Sequence, residues 1–194
     1  MKKVVLIGDS IRMGYQATVR KELDGLADVW SPEPNCQHTV NVLLNFTEWV
    51  VKNQPDILHI AAGGWDVRNV LRGVPGNIVP LKHYQENVAR LLALSKQVAK
   101  DKVIWALITP MNIKQNFDHH AATGHPARTE GDIERYNAAA IEECHKAGVE
   151  INDLYHFVET HHPENIRDKD GVHYSEEGYA LMGKHVAGII KKYL

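Results

Sequence analysis

The chain has 194 residues, 44% hydrophobic and 24% charged, the proportions of a soluble globular protein able to bury a core without staples. Its 22 Lys and Arg against 24 Asp and Glu give a formal net charge of −2, and no basic run is longer than two residues, which argues against a dedicated nucleic-acid binder or a polybasic membrane anchor. Cys36 and Cys144 are far apart and form no Cys-x-x-Cys pair, so neither a disulfide framework nor a Cys-rich zinc site is expected.

In chain order, apolar runs predict strands at Lys3–Ile7, Ala27–Trp30, Asp56–Ile60, Val103–Ile108 and Val149–Asn152. Helical periodicity falls between them, at Gly14–Leu23, Val40–Lys52, Leu81–Lys100 and Gly131–Ala147, and finally at Ser175–Leu194. Runs such as Val4-Val5-Leu6-Ile7 lack polar alternation, as expected of strands covered on both faces. The alternation therefore predicts one α/β domain over 1–194, a three-layer α/β/α sandwich on a five-stranded parallel sheet. Two connections are long, Trp65–Pro80 and Thr109–Thr129, and the second is expected to be a polar, mobile lid over the rim of a site. The first apolar run stops at Gly8-Asp9-Ser10, too short for an export signal or a membrane span, so a cytoplasmic protein is expected.

Chemistry concentrates at the two ends. Ser10 follows the first strand and opens the first helix, where N-terminal N–H groups favour negative charge. On these residues alone, Ser10 reads equally as a nucleophile or as a helix cap. Near the other end, Asp170 and His173 lie three residues apart on a turn opened by Gly171. That spacing lets a carboxylate hold an imidazole, the orienter–base half of a Ser–His–Asp triad, or else forms an ordinary Asx turn. Twelve histidines invite a metal reading, but the adjacent pairs His119-His120 and His161-His162 do not converge easily on one ion, and no His-Glu-x-x-His occurs. No metal and no cofactor is expected. The first loop also lacks a phosphate cradle, which disfavours a flavodoxin-type nucleotide binder.

Taken together, Gly8-Asp9-Ser10 and Asp170-x-x-His173 resemble the SGNH/GDSL hydrolase family, and the resemblance spans the chain. Gln54–Ile60 is similar to the family's third strand, Gly63-Gly64-Trp65-Asp66 lies where its third motif falls, Trp105–Pro110 is similar to its fourth strand, and Tyr136-Asn137 resembles a segment on the following helix. The resemblance implies a flavodoxin-like fold and a serine esterase with Ser10, His173 and Asp170 as triad. It also implies structural roles for Asp9 and Asp66.

Two positions depart from the family pattern. Trp30–Thr39 has no glycine where the second motif offers an oxyanion N–H, and Trp65 stands where the third motif has asparagine. Candidate oxyanion or substrate-binding residues are therefore Ser10, Asn35, Gly63 and Trp65, with Asn35 the expected replacement donor and a simple turn residue as the competing reading. The expected partner is a small-molecule ester, with a short acyl group on a polar or sugar-like alcohol. The alternative is a degenerate hydrolase that only binds a ligand or partner.

Overall fold

A computed structural model describes residues 1–194. In chain order the elements are β1 (Lys2–Gly8), α1 (Ser10–Glu22), β2 (Ala27–Trp30), α2 (Thr39–Leu44) and a π-helical turn (Thr47–Val51). Next come β3 (Ile57–Ala61), β4 (Asn69–Leu71), β5 (Val74–Asn77), α3 (Leu81–Val98), β6 (Lys102–Ala106) and α4 (Ile113–His119). The chain closes with α5 (Asp132–Ala147), β7 (Glu150–Asn152), α6 (Leu154–Glu159), α7 (Pro163–Ile166) and α8 (Glu176–Lys191).

The main sheet has five strands in the order β2-β1-β3-β6-β7, and every pairing is parallel. Its two faces explain the unbroken apolar runs. Val5, Ile7, Leu58, Ile60, Val103 and Trp105 point to one layer, where Tyr84, Val88 and Leu91 of α3 and Ile133 and Tyr136 of α5 meet them. Val4, Leu6, Ile57 and Ile104 point to the other, against Tyr15 and Val19 of α1 and Met182, Val186 and Ile190 of α8. Each aliphatic side chain taken fully out of water contributes about 1.5–3 kcal/mol, so neither face tolerates a polar alternation. The strand order reverses direction at β1, leaving a crevice between the carboxyl ends of β1 and β3, the place where open α/β sheets bind ligands.

The structure departs from the sequence reading in its details. α1 starts at Ser10 rather than Gly14, because Asp9 caps it by accepting from the Ile11 N–H at 3.0 Å. The single helix expected over Val40–Lys52 is two pieces, α2 ending at Leu44 with Asn45 as its C-cap and the π-helical turn following. The long connection Trp65–Pro80 holds the β4–β5 hairpin, antiparallel and separate from the main sheet. Thr109–Thr129 is not a featureless loop. It contains α4, capped by the Asn112 side chain on the Gln115 N–H at 2.9 Å. Helices α6 and α7 were missed altogether, each too short to show an apolar period. No helix is long and apolar enough to cross a membrane.

Candidate active site

Ser10 stands at the carboxyl end of β1 as the first residue of α1. Because Asp9 performs the capping, the Ser10 hydroxyl is free for other work, and its backbone N–H has no acceptor within the helix. The Ser10 Oγ lies 2.8 Å from His173 Nε2. On the far side of the ring, His173 Nδ1 contacts Asp170 Oδ2. Asp170 Oδ1 accepts the backbone N–H groups of Val172 at 2.9 Å and of His173 at 2.8 Å. Asp168 is exposed and bonds its neighbour Lys169 instead.

Several contacts hold this turn in place. The Asp168 N–H donates to the His173 carbonyl at 2.8 Å, and a bridge between Arg167 and Tyr174 closes the neck. Gly171 has φ +77°, and a Cβ there would come within 2.6 Å of the Asn112 carbonyl, so the turn demands glycine on two counts. Helix α4 backs the turn directly: the Asn112 N–H donates to the Gly171 carbonyl at 2.8 Å, and Asn116 Nδ2 to the Asp170 carbonyl at 3.0 Å. The segment expected to be a lid buttresses this turn.

Electrostatics follow from these contacts. Burial works to raise the Asp170 pKa, but the His173 ring and two backbone N–H groups overcome it and hold the carboxyl well below the usual carboxylate range. The Asp170 bond raises the His173 pKa above 6.5, against burial, which works to lower it. An ionised Asp170 can only accept, so Nδ1 carries the proton and the Nε2 lone pair faces Ser10. Asp9 is buried behind the serine, and burial raises its pKa against the Ile11 N–H and the Arg128 charge.

The loop after β2 approaches from the other side. Asn35 Oδ1 accepts the Gln37 N–H at 2.8 Å, an Asx turn that leaves its amide nitrogen without a protein acceptor. The loop is fixed by Arg12, which is wholly buried in α1. Its guanidinium donates to the carbonyls of Gly8 at 3.1 Å, Pro32 at 3.0 Å and Pro34 at 2.9 Å, and to Gln16 Oε1 at 2.6 Å. The Cys36 N–H adds a bond to the Gly8 carbonyl at 3.2 Å.

Ser10, Asn35, Trp65, Asp170 and His173 line one pocket of about 320 Å³. Gly63, also a sequence candidate, does not. It is buried at φ +137°, and a Cβ there would come within 2.7 Å of the Ile108 side chain, so it shapes the exit from β3 rather than facing the pocket. Gly64 is the residue that approaches the site, since a Cβ there would lie 2.7 Å from Asp9 Oδ2. Asp66 sits behind, accepting the Thr39 N–H at 3.1 Å and the Thr39 hydroxyl. Asn137 braces the end of β6 by bonding both the N–H and the carbonyl of Ile108, at 2.8 and 3.0 Å.

Sequence reasoning missed Arg12, Arg68, Asn116 and Arg128, although the last three line the same pocket. A signal for Arg12 existed: it shares the buried face of α1 with Ile11, Tyr15 and Val19, where a cation is unexpected. Arg68 and Arg128 lie in irregular segments and Asn116 in the short helix α4, and no spacing marks them.

Residues 6–181 match the family model described as GDSL-like lipase/acylhydrolase. The chain belongs to that family. A GDSL esterase/lipase of Arabidopsis thaliana is 25% identical over 145 residues, 72% of this chain, and the chain spans 56% of that relative's length. Among solved structures, the lipase/acylhydrolase from Enterococcus faecalis superposes with a TM-score of 0.78 at 21% identity, covering 99% of this chain and 96% of its own. A catalytic mutant of an acetylxylan esterase from Geobacillus stearothermophilus gives 0.76 at 17% identity, covering 97% and 94%. The acetyl xylan esterase AlAXEase gives 0.74 at 19%, covering 97% and 99%. At these identities the GDSL chain shares the fold of its neighbours.

Proposed function

We propose that the protein is a serine esterase that removes short acyl groups from a polar alcohol. Ser10 Oγ attacks the ester carbonyl while its proton passes to His173 Nε2, and Asp170 stabilises the imidazolium that results. The tetrahedral oxyanion is held by the Ser10 backbone N–H and the Asn35 side-chain amide. Collapse expels the alcohol, which takes the proton from Nε2. Water, activated by the same imidazole, then clears the acyl-enzyme. The observation that carries this reading is the 2.8 Å contact between Ser10 Oγ and His173 Nε2, with the ring's other nitrogen on Asp170.

A short acyl group and a polar alcohol are supported by the predominantly polar lining of the pocket and by neighbours described as acetyl xylan esterases. Turnover of 4-nitrophenyl acetate, butyrate and octanoate by the wild type and by Ser10→Ala tests the reading. Turnover should fall as the acyl chain lengthens and disappear in the variant. Faster octanoate hydrolysis would reverse the substrate assignment, and equal rates in the variant would remove Ser10 from the mechanism. Binding without turnover of any ester would leave a degenerate hydrolase.

A further inference from the structure

Beside the triad, the pocket is lined by Arg68 and Arg128. These residues pair across a short antiparallel bridge that ties the segment after β3 to the segment before α5. Like charges placed opposite each other in this way repel. Neither guanidinium has a carboxylate partner at ion-pair distance. Arg128 donates one Nη2 N–H to the Gly64 carbonyl at 3.1 Å, and its Nε is buried with no partner. Burial also pushes the Arg128 pKa down, to about 10, against the pull of Asp9. Arg68 makes no hydrogen bond through its side chain and lies against the Trp65 ring, 5.1 Å from its centroid. The acids nearest Arg128, Asp9 and Asp170, are already committed, the first to capping α1 and the second to His173.

A guanidinium whose buried Nε has no partner, set opposite a second arginine across a bridge, is costly to hold in a pocket wall, and an anion in the pocket removes the cost. We propose that the natural substrate carries a carboxylate, held by Arg68 and Arg128 while Ser10 attacks a neighbouring ester. A planar carboxylate matches the guanidinium fork with parallel N–H···O bonds, which lysines could not supply. A pocket of about 320 Å³ suits an acylated small acid such as an acetylated sugar acid. The proposal rests on the esterase reading for the bond that is cut. Recognition of the carboxylate stands apart from that chemistry.

The test uses two isosteric pairs. 4-Acetoxybenzoate against 4-acetoxybenzamide places the charge on the alcohol side, and monoethyl succinate against ethyl succinamate places it on the acyl side. In at least one pair the wild type should favour the carboxylate in kcat/KM by about tenfold or more, and the preference should shrink as salt is raised. Arg68→Gln, a substitution at a half-exposed position, should reduce that ratio to near one. Arg128→Lys, which keeps a donor for the Gly64 carbonyl, should reduce it too. The same pairs titrated against Ser10→Ala, with and without Arg68→Gln, measure binding with no turnover. Loss of turnover on all four esters with the binding preference intact would sink the esterase reading alone. Equal handling of carboxylate and amide in both pairs, or a preference that survives Arg68→Gln, would overturn the proposal.

Discussion

Two loops meet over Ser10, and they are held in opposite ways. The Asp170–His173 turn is closed mainly by local bonds: the carboxylate, the imidazole and the N–H groups on Asp170 lie within a few residues, Gly171 permits the bend, and α4 backs it from outside. The Ser31–Gln37 loop has little internal structure beyond the Asn35 turn, and one buried cation from a different element pins it by its carbonyls. A locally closed turn keeps its geometry when its surroundings are perturbed. A loop held largely by one long side chain, with the Cys36 N–H on the Gly8 carbonyl and Arg20 on the Ser31 hydroxyl as lesser ties, depends heavily on that side chain. The proposed base and its orienter should therefore be robust, and the proposed oxyanion side fragile.

The largest effects should come from breaking the robust side chemically. Ser10→Ala and His173→Ala should each reduce kcat by on the order of 10⁴-fold or more, and the double variant should be little worse than either, as groups acting as a unit require. Steady-state rates together with melting temperatures would check this, the latter staying near wild type. Asp170→Asn should cost on the order of 10⁴-fold by favouring the wrong His173 tautomer, whereas Asp168→Asn should cost little.

Next comes the fragile side. Asn35→Ala should lower kcat by about tenfold or more with KM little changed, since one oxyanion donor is typically worth 100- to 1000-fold and the Ser10 N–H remains. Arg12→Met should produce the same kcat loss from a distance. It should also destabilise the fold by about 1–3 kcal/mol, because buried carbonyls lose their donor. The decisive readout is coupling. Below the variant's melting temperature, adding Asn35→Ala to Arg12→Met should cost almost nothing further, as expected if Arg12 acts by positioning Asn35. Additive losses would mean that Arg12 is only structural.

The smallest effects concern pH. Activity should rise along a limb set by deprotonation of His173, centred above 6.5 because Asp170 raises its pKa. In Asp170→Asn the limb should move to lower pH. Stability should show a separate acid limb from His59, which is wholly buried in β3 with Nε2 3.2 Å from the Asn152 amide. Burial lowers its pKa to about 4, so below pH 6.5 the unfolded chain binds the proton that the folded chain refuses. Its contribution is thus fully present above 6.5 and falls as pH drops towards 4. Denaturant titrations across that range, compared with His59→Leu, would isolate it.

What the sequence determined by itself is the frame, and with the family resemblance it also singled out the residues of the proposed base side. Unbroken apolar runs specify strands buried on both faces, and alternation with helical periods specifies a parallel sheet. Ser10 after the first strand and Asp170-x-x-His173 before the last helix are joined by the resemblance of the paired motifs, since spacing alone leaves a helix cap and an Asx turn open. What only the tertiary structure decided is everything that depends on long side chains and irregular backbone. Arg12 reaches across from α1 to carbonyls of a loop twenty residues further on; the helical period marks its position as buried but not which groups it meets. Arg68 and Arg128 meet through a bridge between two segments that read as featureless connections. Helix α4 forms because Asn112 caps it and the triad turn packs against it, and a helix of two turns leaves too little pattern to read. Local spacing encodes what is close along the chain, while the reach of an arginine is settled only once the chain has folded.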